Sequence, residues 1–348
     1  MRKSRHSVSM VVIFSIFSIL LMNSFCLFSG CTSKNATEVV IYTSLDQVFS
    51  EPILKDFEKK TGIKVHALYD VEAAKTTGLV NKLIAEKSNP QADVFWNSEV
   101  SRTIVLKQKG VLASYHSPSA QKIPAQFQDK DGYWTGFAAR ARILIYNKEL
   151  VPDKDLPESI FELVHPRWRG QVALANPLFG TTSTHVGAFF AHLGEAQAKD
   201  FLKKLKENNT GIVSGNSVVR DLVVQGEYKI GFTDTDDANV AIESGKGVGI
   251  LYPDQSAMGT LVIPNTIALI AGAPHPDEGR RLIDYILSKE VESRLAHMES
   301  AQIPLREDIK VPRHVKTIHD IKAMPVGYEQ IAQNVEKACA FCQDLFIH

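Results

Sequence analysis

Net charge is absent from this 348-residue sequence: 39 lysines and arginines meet 39 aspartates and glutamates. The first thirty residues hold Arg2, Lys3 and Arg5 and no acid, so the rest of the chain is mildly acidic and gives no electrostatic case for nucleic acid as a partner. Cysteine is scarce, with four in the chain. The pair Cys339 and Cys342 has no second pair to complete a zinc site and no thioredoxin-like setting. No Gly-x-Ser-x-Gly elbow, His-Glu-x-x-His, P-loop or Gly-x-Gly-x-x-Gly occurs, which removes the signatures of several hydrolase, metalloprotease and nucleotide-binding classes. Repeats and low-complexity tracts are missing too. What is present is ordinary globular composition, 44% hydrophobic and 22% charged, at a length that accommodates two domains.

The long apolar run Val8 to Leu27 follows a basic Met-Arg-Lys-Ser-Arg-His start, so residues 1–30 read as a signal peptide. Phe28-Ser29-Gly30-Cys31 resembles a bacterial lipobox, with Phe28 where Leu is usual. Cys31 is therefore the expected lipid attachment point, and residues 31–37 a polar tether. Left uncleaved, the same run would anchor the chain as a span. Each version puts the body outside the cytoplasm, where an oxidised Cys339–Cys342 staple is the default.

Beyond the tether, Val39 to Thr43 reads as a buried strand, followed by helical spacing at Phe49, Ile53, Leu54 and Phe57 up to a stop at Thr61-Gly62. A strand over Ile63 to Leu68, a helix over Thr77 to Lys87 and a strand over Asp93 to Asn97 continue the alternation. That argues for an α/β fold with a mainly parallel sheet, whose ligands gather beyond the carboxyl ends of the strands. The residues at those ends are Tyr42, Thr43 and Ser44, then Tyr69, then Trp96, Asn97 and Ser98. Thr43 and Ser44 serve equally well as helix caps, and Trp96 as packing.

The stretch from Tyr133 to Asn147 reads as a long crossing into a second lobe, with Arg140 and Arg142 on one face. Such a pair suits either a solvated surface or the grip of an oxyanion at a domain seam. A strand at Gln171 to Ala175 leads to Thr181-Thr182-Ser183-Thr184, hydroxyls that open a helix from Val186 to Leu193 and suit an anion. Another helix start at Asn216 precedes Val218 to Val224. Gly259 to Leu269 reads as the return crossing, and the remainder as helical. His165 and His185 read as polar surface residues.

One stretch stands out. The apolar run Tyr228 to Phe232 ends in Asp234, Asp236 and Asp237, and carboxylates at the mouth of a buried strand are costly unless paired or bound. Capping of the next helix accounts for any one of them. All three together point to a ligand site, with Asp236 and Asp237 as candidate metal ligands.

Val40 to Ser44, Phe57 to Val65, Asp93 to Asn97, Pro166-Arg-Trp-Arg-Gly170, Gly226 to Gly231 and Tyr252-Pro-Asp254 together resemble, in order along the chain, the extracellular solute-binding proteins of ABC importers, in the group that contains the ferric-ion-binding proteins. The resemblance implies a type 2 periplasmic-binding-protein fold: two lobes, residues 35–137 with 265–348 and residues 138–264, hinged on two crossover segments around a ligand cleft. It implies an ABC permease and its ATPase as partners, a monomer, no required cofactor, and ferric iron among the ligands. Relatives also take sugar phosphates, aminoethylphosphonate and thiamine. Ferric proteins carry two adjacent tyrosines where this chain has Asp236-Asp237, and often His-Tyr where it has Ser44-Leu45-Asp46. Tyr42, Tyr69, Tyr146 and Tyr252 remain as single phenols.

The expected function is capture of a small solute, ferric iron or an iron complex first, without catalysis. The expected ligand-binding set is Thr43, Ser44, Asp46, Tyr69, Trp96, Asn97, Arg140, Thr181, Thr182, Asn216, Asp234 and Tyr252. Alternatives are a binding protein for a phosphonate, sugar phosphate or other small oxyanion or zwitterion; an exported metal-dependent hydrolase using the three aspartates; and a sensory subunit reporting occupancy to a membrane receptor.

Overall fold

A computed structural model describes residues 37–70 and 76–347. The signal, Cys31 and nearly all of the tether lie outside them. Among the described residues no helix is long and apolar enough to cross a membrane.

Val39 and Ile41, β-branched and fully buried, set β1 (Glu38–Thr43) in the sheet, with β2 (Lys64–Tyr69) and β3 (Val94–Asn97) parallel on either side. Between β1 and β2, α1 (Gln47–Thr61) buries Ile53, Leu54 and Phe57 and stops at Gly62, whose φ of 72° and N–H to Glu58 carbonyl bond form a left-handed cap. Helices α2 (Thr77–Ala85) and α3 (Ser101–Gln108) flank β3, and β4 (Leu112–Ala113) follows.

The expected crossing is β5 (Thr135–Asn147), thirteen residues all buried. Its first part, through Ala141, pairs antiparallel with β10 (Val262–Ile270), and from Arg142 onward it pairs with β8 (Ile230–Asp234) and β9 (Val248–Leu251). On the far side β8 lies parallel to β6 (Val172–Ala175), and β6 parallel to β7 (Gly211–Val213). The main order is β2-β1-β3-β10-β5-β8-β6-β7. Two parallel clusters are thus joined by two antiparallel strands, rather than forming one mainly parallel sheet, because β5 and β10 run from one cluster into the other.

The crossing is distorted where they meet. Register shifts between Pro264 and Asn265, and Ala138 opposite them takes a φ of 36°. A non-glycine residue there is strained and persists only if its surroundings hold it. The Ala138 N–H donates to Glu292 Oε1 at 2.9 Å, and its carbonyl accepts from Asn265. Glu292 itself is buried, also accepts from the Leu305 N–H, and pairs with Arg306 at 3.1 Å.

Helices α4 (Gly180–Leu193), α5 (Glu195–Glu207), α6 (Asn216–Val224) and α7 (Thr235–Glu243) cover the second cluster. Helix α5 was not anticipated, although Ala198, Phe201, Leu202 and Leu205 bury one amphipathic face. Helix α4 starts at Gly180, so the hydroxyl run lies inside it.

After β10 come α8 (Pro276–Ile286) and α9 (Lys289–His297), but residues 298–327 hold only a single 3-10 turn, so the remainder is not helical throughout. The last helix, α10 (Tyr328–Cys342), packs chiefly on α4, and its Ala338 and Cys342 share a core cluster with Phe189, Phe190 and Phe201. The C-terminal segment therefore serves both clusters rather than only the first.

The expected terminal staple is not formed. Cys339 and Cys342 are unpaired thiols on one helix, where Cys342 is spent on core packing and Cys339 Sγ contacts Arg102 Nη2 and the Pro177 carbonyl.

Candidate functional site

A cavity of about 740 Å³ lies between the two clusters. Its first wall comes from the start of α1, with Asp46, Val48 and Phe49, and from the end of α9, with His297, Met298 and Glu299. Ser217 and Arg220 on α6 and Asp236, Asp237 and Val240 on α7 form the second. Four carboxylates and one guanidinium share the lining with the apolar Val48, Phe49, Val240 and Met298. Such a cleft favours a cation, or a cation carried with an anion.

Of the three aspartates that end the apolar run, only Asp236 and Asp237 line this cavity, although oxygens of all three come within 4.8 Å of one another. Each acid has its own arginine. Asp234 meets Arg142 at 2.8 Å, Asp236 meets Arg140 at 3.2 Å, and Asp237 meets Arg220 at 3.7 Å. The Arg140–Asp236 contact is an ion pair without hydrogen-bond alignment, since Arg140 Nε has no hydrogen-bond partner. Burial disfavours the charge on Arg140, and the carboxylates of Asp236, Asp234, Asp46 and Asp237 outweigh it and raise its pKa. Arg220 is raised in the same way, burial opposing and the carboxylates of Asp221, Asp237 and Asp236 prevailing.

Asp236 and Asp237 sit in the first turn of α7, where carboxylates suit the helix dipole. Asp234 is the N-cap residue, but it makes no side-chain capping bond. Its Oδ2 instead accepts from the Thr181 hydroxyl at 2.5 Å and the Asn216 amide at 2.9 Å. Capping therefore explains the position of these acids but not what Asp234 does.

The other expected site residues divide. Asp46, exposed at the start of α1, belongs to the cleft. Thr43, Ser44 and Asn97 are buried and bonded among themselves and their neighbours: Thr43 Oγ1 accepts from the Leu45 N–H, and Ser44 donates to Asn97 Oδ1 at 2.8 Å while accepting from the Ser98 N–H. They lock the strand ends together. Trp96 is fully buried against Phe137, a packing residue.

Arg140 and Arg142 are neither solvated nor open to an oxyanion, being buried on Asp236 and Asp234. Thr181, Thr182, Asn216 and Asp234 form one network with Arg142 and do not line the cavity. Tyr69 is half-buried at the end of β2, and burial raises its pKa. Tyr252 lines a separate hollow of about 450 Å³ with Lys316 over its ring, and burial pushes its hydroxyl up to about 12. Tyr42 and Tyr146 donate to Glu86 and Asp153, and among the described residues no tyrosine lines the cleft.

His165 is exposed as expected, but His185 is buried between Phe189 and Phe232 with neither ring nitrogen hydrogen-bonded. Val48, Phe49, Ser217, Arg220, His297, Met298 and Glu299 were not anticipated in the cleft. Val48, fully 72% exposed, is an apolar residue at a helix start, a signal that only the fold turns into a wall.

Residues 89–334 match the family described as bacterial extracellular solute-binding protein. The chain belongs to that family. This solute-binding protein is 26% identical over 277 residues to the Fe(3+)-binding periplasmic protein of Serratia marcescens, covering 78% of this chain and 80% of the relative. It is 28% identical over 257 residues to a putative 2-aminoethylphosphonate-binding periplasmic protein of Salmonella typhimurium, covering 73% of each. Its fold matches the ferric binding protein from Campylobacter jejuni with a TM-score of 0.80 at 26% identity, over 88% of this chain and 99% of that one. The expected two-lobed periplasmic-binding-protein fold is therefore met, with β5 and β10 as the crossover segments.

Proposed function

We propose that this solute-binding protein captures a cationic solute, ferric iron or an iron complex, in the cleft and hands it to an ABC permease driven by its ATPase, without catalysing a reaction. The observation that carries this reading is the cavity between the clusters with carboxylates on both walls, Asp46 and Glu299 facing Asp236 and Asp237. Carboxylates are hard oxygen donors suited to ferric iron and other hard cations. The iron named for relatives agrees with that donor set. Without a phenolate in the wall, a chelated iron that brings some of its own ligands fits better than a naked ion.

Arg220 and Ser217 in the acidic wall favour one second reading, a zwitterion whose ammonium meets the carboxylates and whose anion meets Arg220. The aminoethylphosphonate named for another relative has that chemistry. The hydrolase reading loses support because the chain belongs to a family of solute-binding proteins. A thermal-shift and calorimetry panel of ferric salts, ferric chelates, aminoethylphosphonate and sugar phosphates separates the readings. Stoichiometric binding of a ferric species without turnover is expected, and stabilisation by aminoethylphosphonate alone would replace iron with the zwitterion.

The lobes we assign are residues 35–137 with 265–348 and residues 138–264, with α10 shared between them. The protein is placed on the periplasmic side or outer face of the cell membrane as a monomer, held by lipid on Cys31. Intact mass of the membrane-extracted protein tests the anchor: a lipid-sized addition lost in Cys31→Ser is expected, and an unlipidated wild type would refute it.

A further inference from the structure

Arg140 is 4% exposed and lies on the last stretch of β5 that pairs with β10, opposite Ile263. It does not line the cleft, yet its Nε stands 3.2 Å from Asp236 Oδ2 in the cleft wall. That contact carries charge without hydrogen-bond alignment, because Nε makes no hydrogen bond.

The guanidinium bonds elsewhere. Its Nη2 donates to Asn265 Oδ1 at 3.2 Å, and the Asn265 amide donates in turn to the Ala138 carbonyl and to Gln302 Oε1 at 2.7 Å. Arg140 is thus moored to the crossing strands, at the point where their register breaks, and not to the acid it faces. That acid is kept close all the same: the Ala141 N–H donates to Thr235 Oγ1 at 3.1 Å, which fixes the first turn of α7 against β5. Arg142, two residues on, does the opposite and spends its guanidinium on four hydrogen bonds.

A positive charge that cannot withdraw therefore stands beside Asp234, Asp236 and Asp237, whose oxygens come within 4.8 Å of one another. The carboxylate of Asp46, on the opposite wall, acts on it as well. Out of bulk water, such a charge opposes any cation brought to Asp236.

We propose that Arg140 is a positioning residue that sets the affinity of the cleft: moored on Asn265, it offsets the Asp236 carboxylate and holds cation binding below what the four lining carboxylates would give, which keeps the solute releasable. This rests on the function proposed above and names the charge that tunes that same site. The sign of the effect separates it from a structural role. Damage to the fold weakens binding, whereas loss of an opposing charge strengthens it.

The test is calorimetry on the full chain with a ferric salt presented on a weak chelator, for wild type, Arg140→Gln, Arg140→Lys, Asp236→Asn, and Asp236→Asn with Arg140→Gln. Arg140→Gln binds about tenfold tighter or more, because the opposing charge is gone while a side-chain amide remains for Asn265. Arg140→Lys keeps the charge and stays within about threefold of wild type. A folded Arg140→Gln without the gain overturns the proposal. An equal gain in Arg140→Lys also overturns it, since the cause would then be packing.

Should Arg140→Gln fail to fold, the two Asp236→Asn proteins decide, because neither holds a carboxylate at that place. Adding Arg140→Gln to Asp236→Asn raises affinity by about tenfold, as Asp46, Asp237 and Glu299 then meet the cation with one opposing charge fewer. No rise overturns the proposal. Ferric binding by none of these proteins overturns the function proposed above and this inference with it; binding by the wild type without the gain overturns this inference alone.

Discussion

Arg142 and Asp234 are register partners across the antiparallel β5–β8 pair, and their side chains join the same two strands a second time through a 2.8 Å ion pair. Both are buried, so the pair is weak evidence for net stability, while removing one partner strands a charge inside the protein. Arg142→Gln is expected to cost about 3–5 kcal/mol, and adding Asp234→Asn to recover a large part of that. Urea unfolding of the four proteins of the cycle measures it. A loss under about 1 kcal/mol for Arg142→Gln would mean that the pair is not buried as described.

His185 gives the protein an acid sensitivity of its own. Burial, and secondly Arg142, hold its imidazole well below the ordinary 6.5. The unfolded chain takes up a proton as pH falls through that value and the folded chain does not, so stability is fully present above it and is lost as pH falls towards the depressed folded pKa. The slope is about 1.4 kcal/mol per pH unit. Denaturant midpoints between about pH 7 and pH 5 should fall in the wild type and fall less in His185→Leu. Parallel curves would show that His185 does not titrate on unfolding.

Closure is expected because β5 and β10 are the strands that pass between clusters and the cleft draws residues from both. A solute that touches both walls has its differential affinity for the closed form. Small-angle scattering should give a smaller radius of gyration at saturation. An unchanged radius would leave the crossing as a rigid joint.

Much of this fold was legible in local pattern. Val39 to Thr43, the helical spacing from Phe49 to Phe57, the glycine stop at Gly62 and the two crossings all lie where periodicity and punctuation put them, because each is a choice made within a few residues. The parallel-sheet expectation went too far because alternation of strands and helices does not reveal that β5 changes partners at Arg142.

The site was legible in type and not in pairing. Asp236 and Asp237 reach the cleft, but Asp234, two residues earlier, turns to a guanidinium that β5 delivers from ninety-two residues away. Thr181, Thr182 and Asn216 are at helix starts as read, yet their bonds go to one another, to Arg142 and to Asp234. His297, Met298 and Glu299 carry no motif at all; they join Asp46 only because α9 ends beside the start of α1.

On the function proposed, carboxylates on α7 hold a cation in the cleft. Calorimetry of a ferric salt, presented on a weak chelator, with wild type and with Asp236→Asn plus Asp237→Asn, both checked for folding, measures this most directly. Asparagine keeps the approximate shape and removes both charges, so binding is predicted to weaken by about 1–3 kcal/mol for each carboxylate neutralised. Equal affinity in the two proteins would contradict the claim.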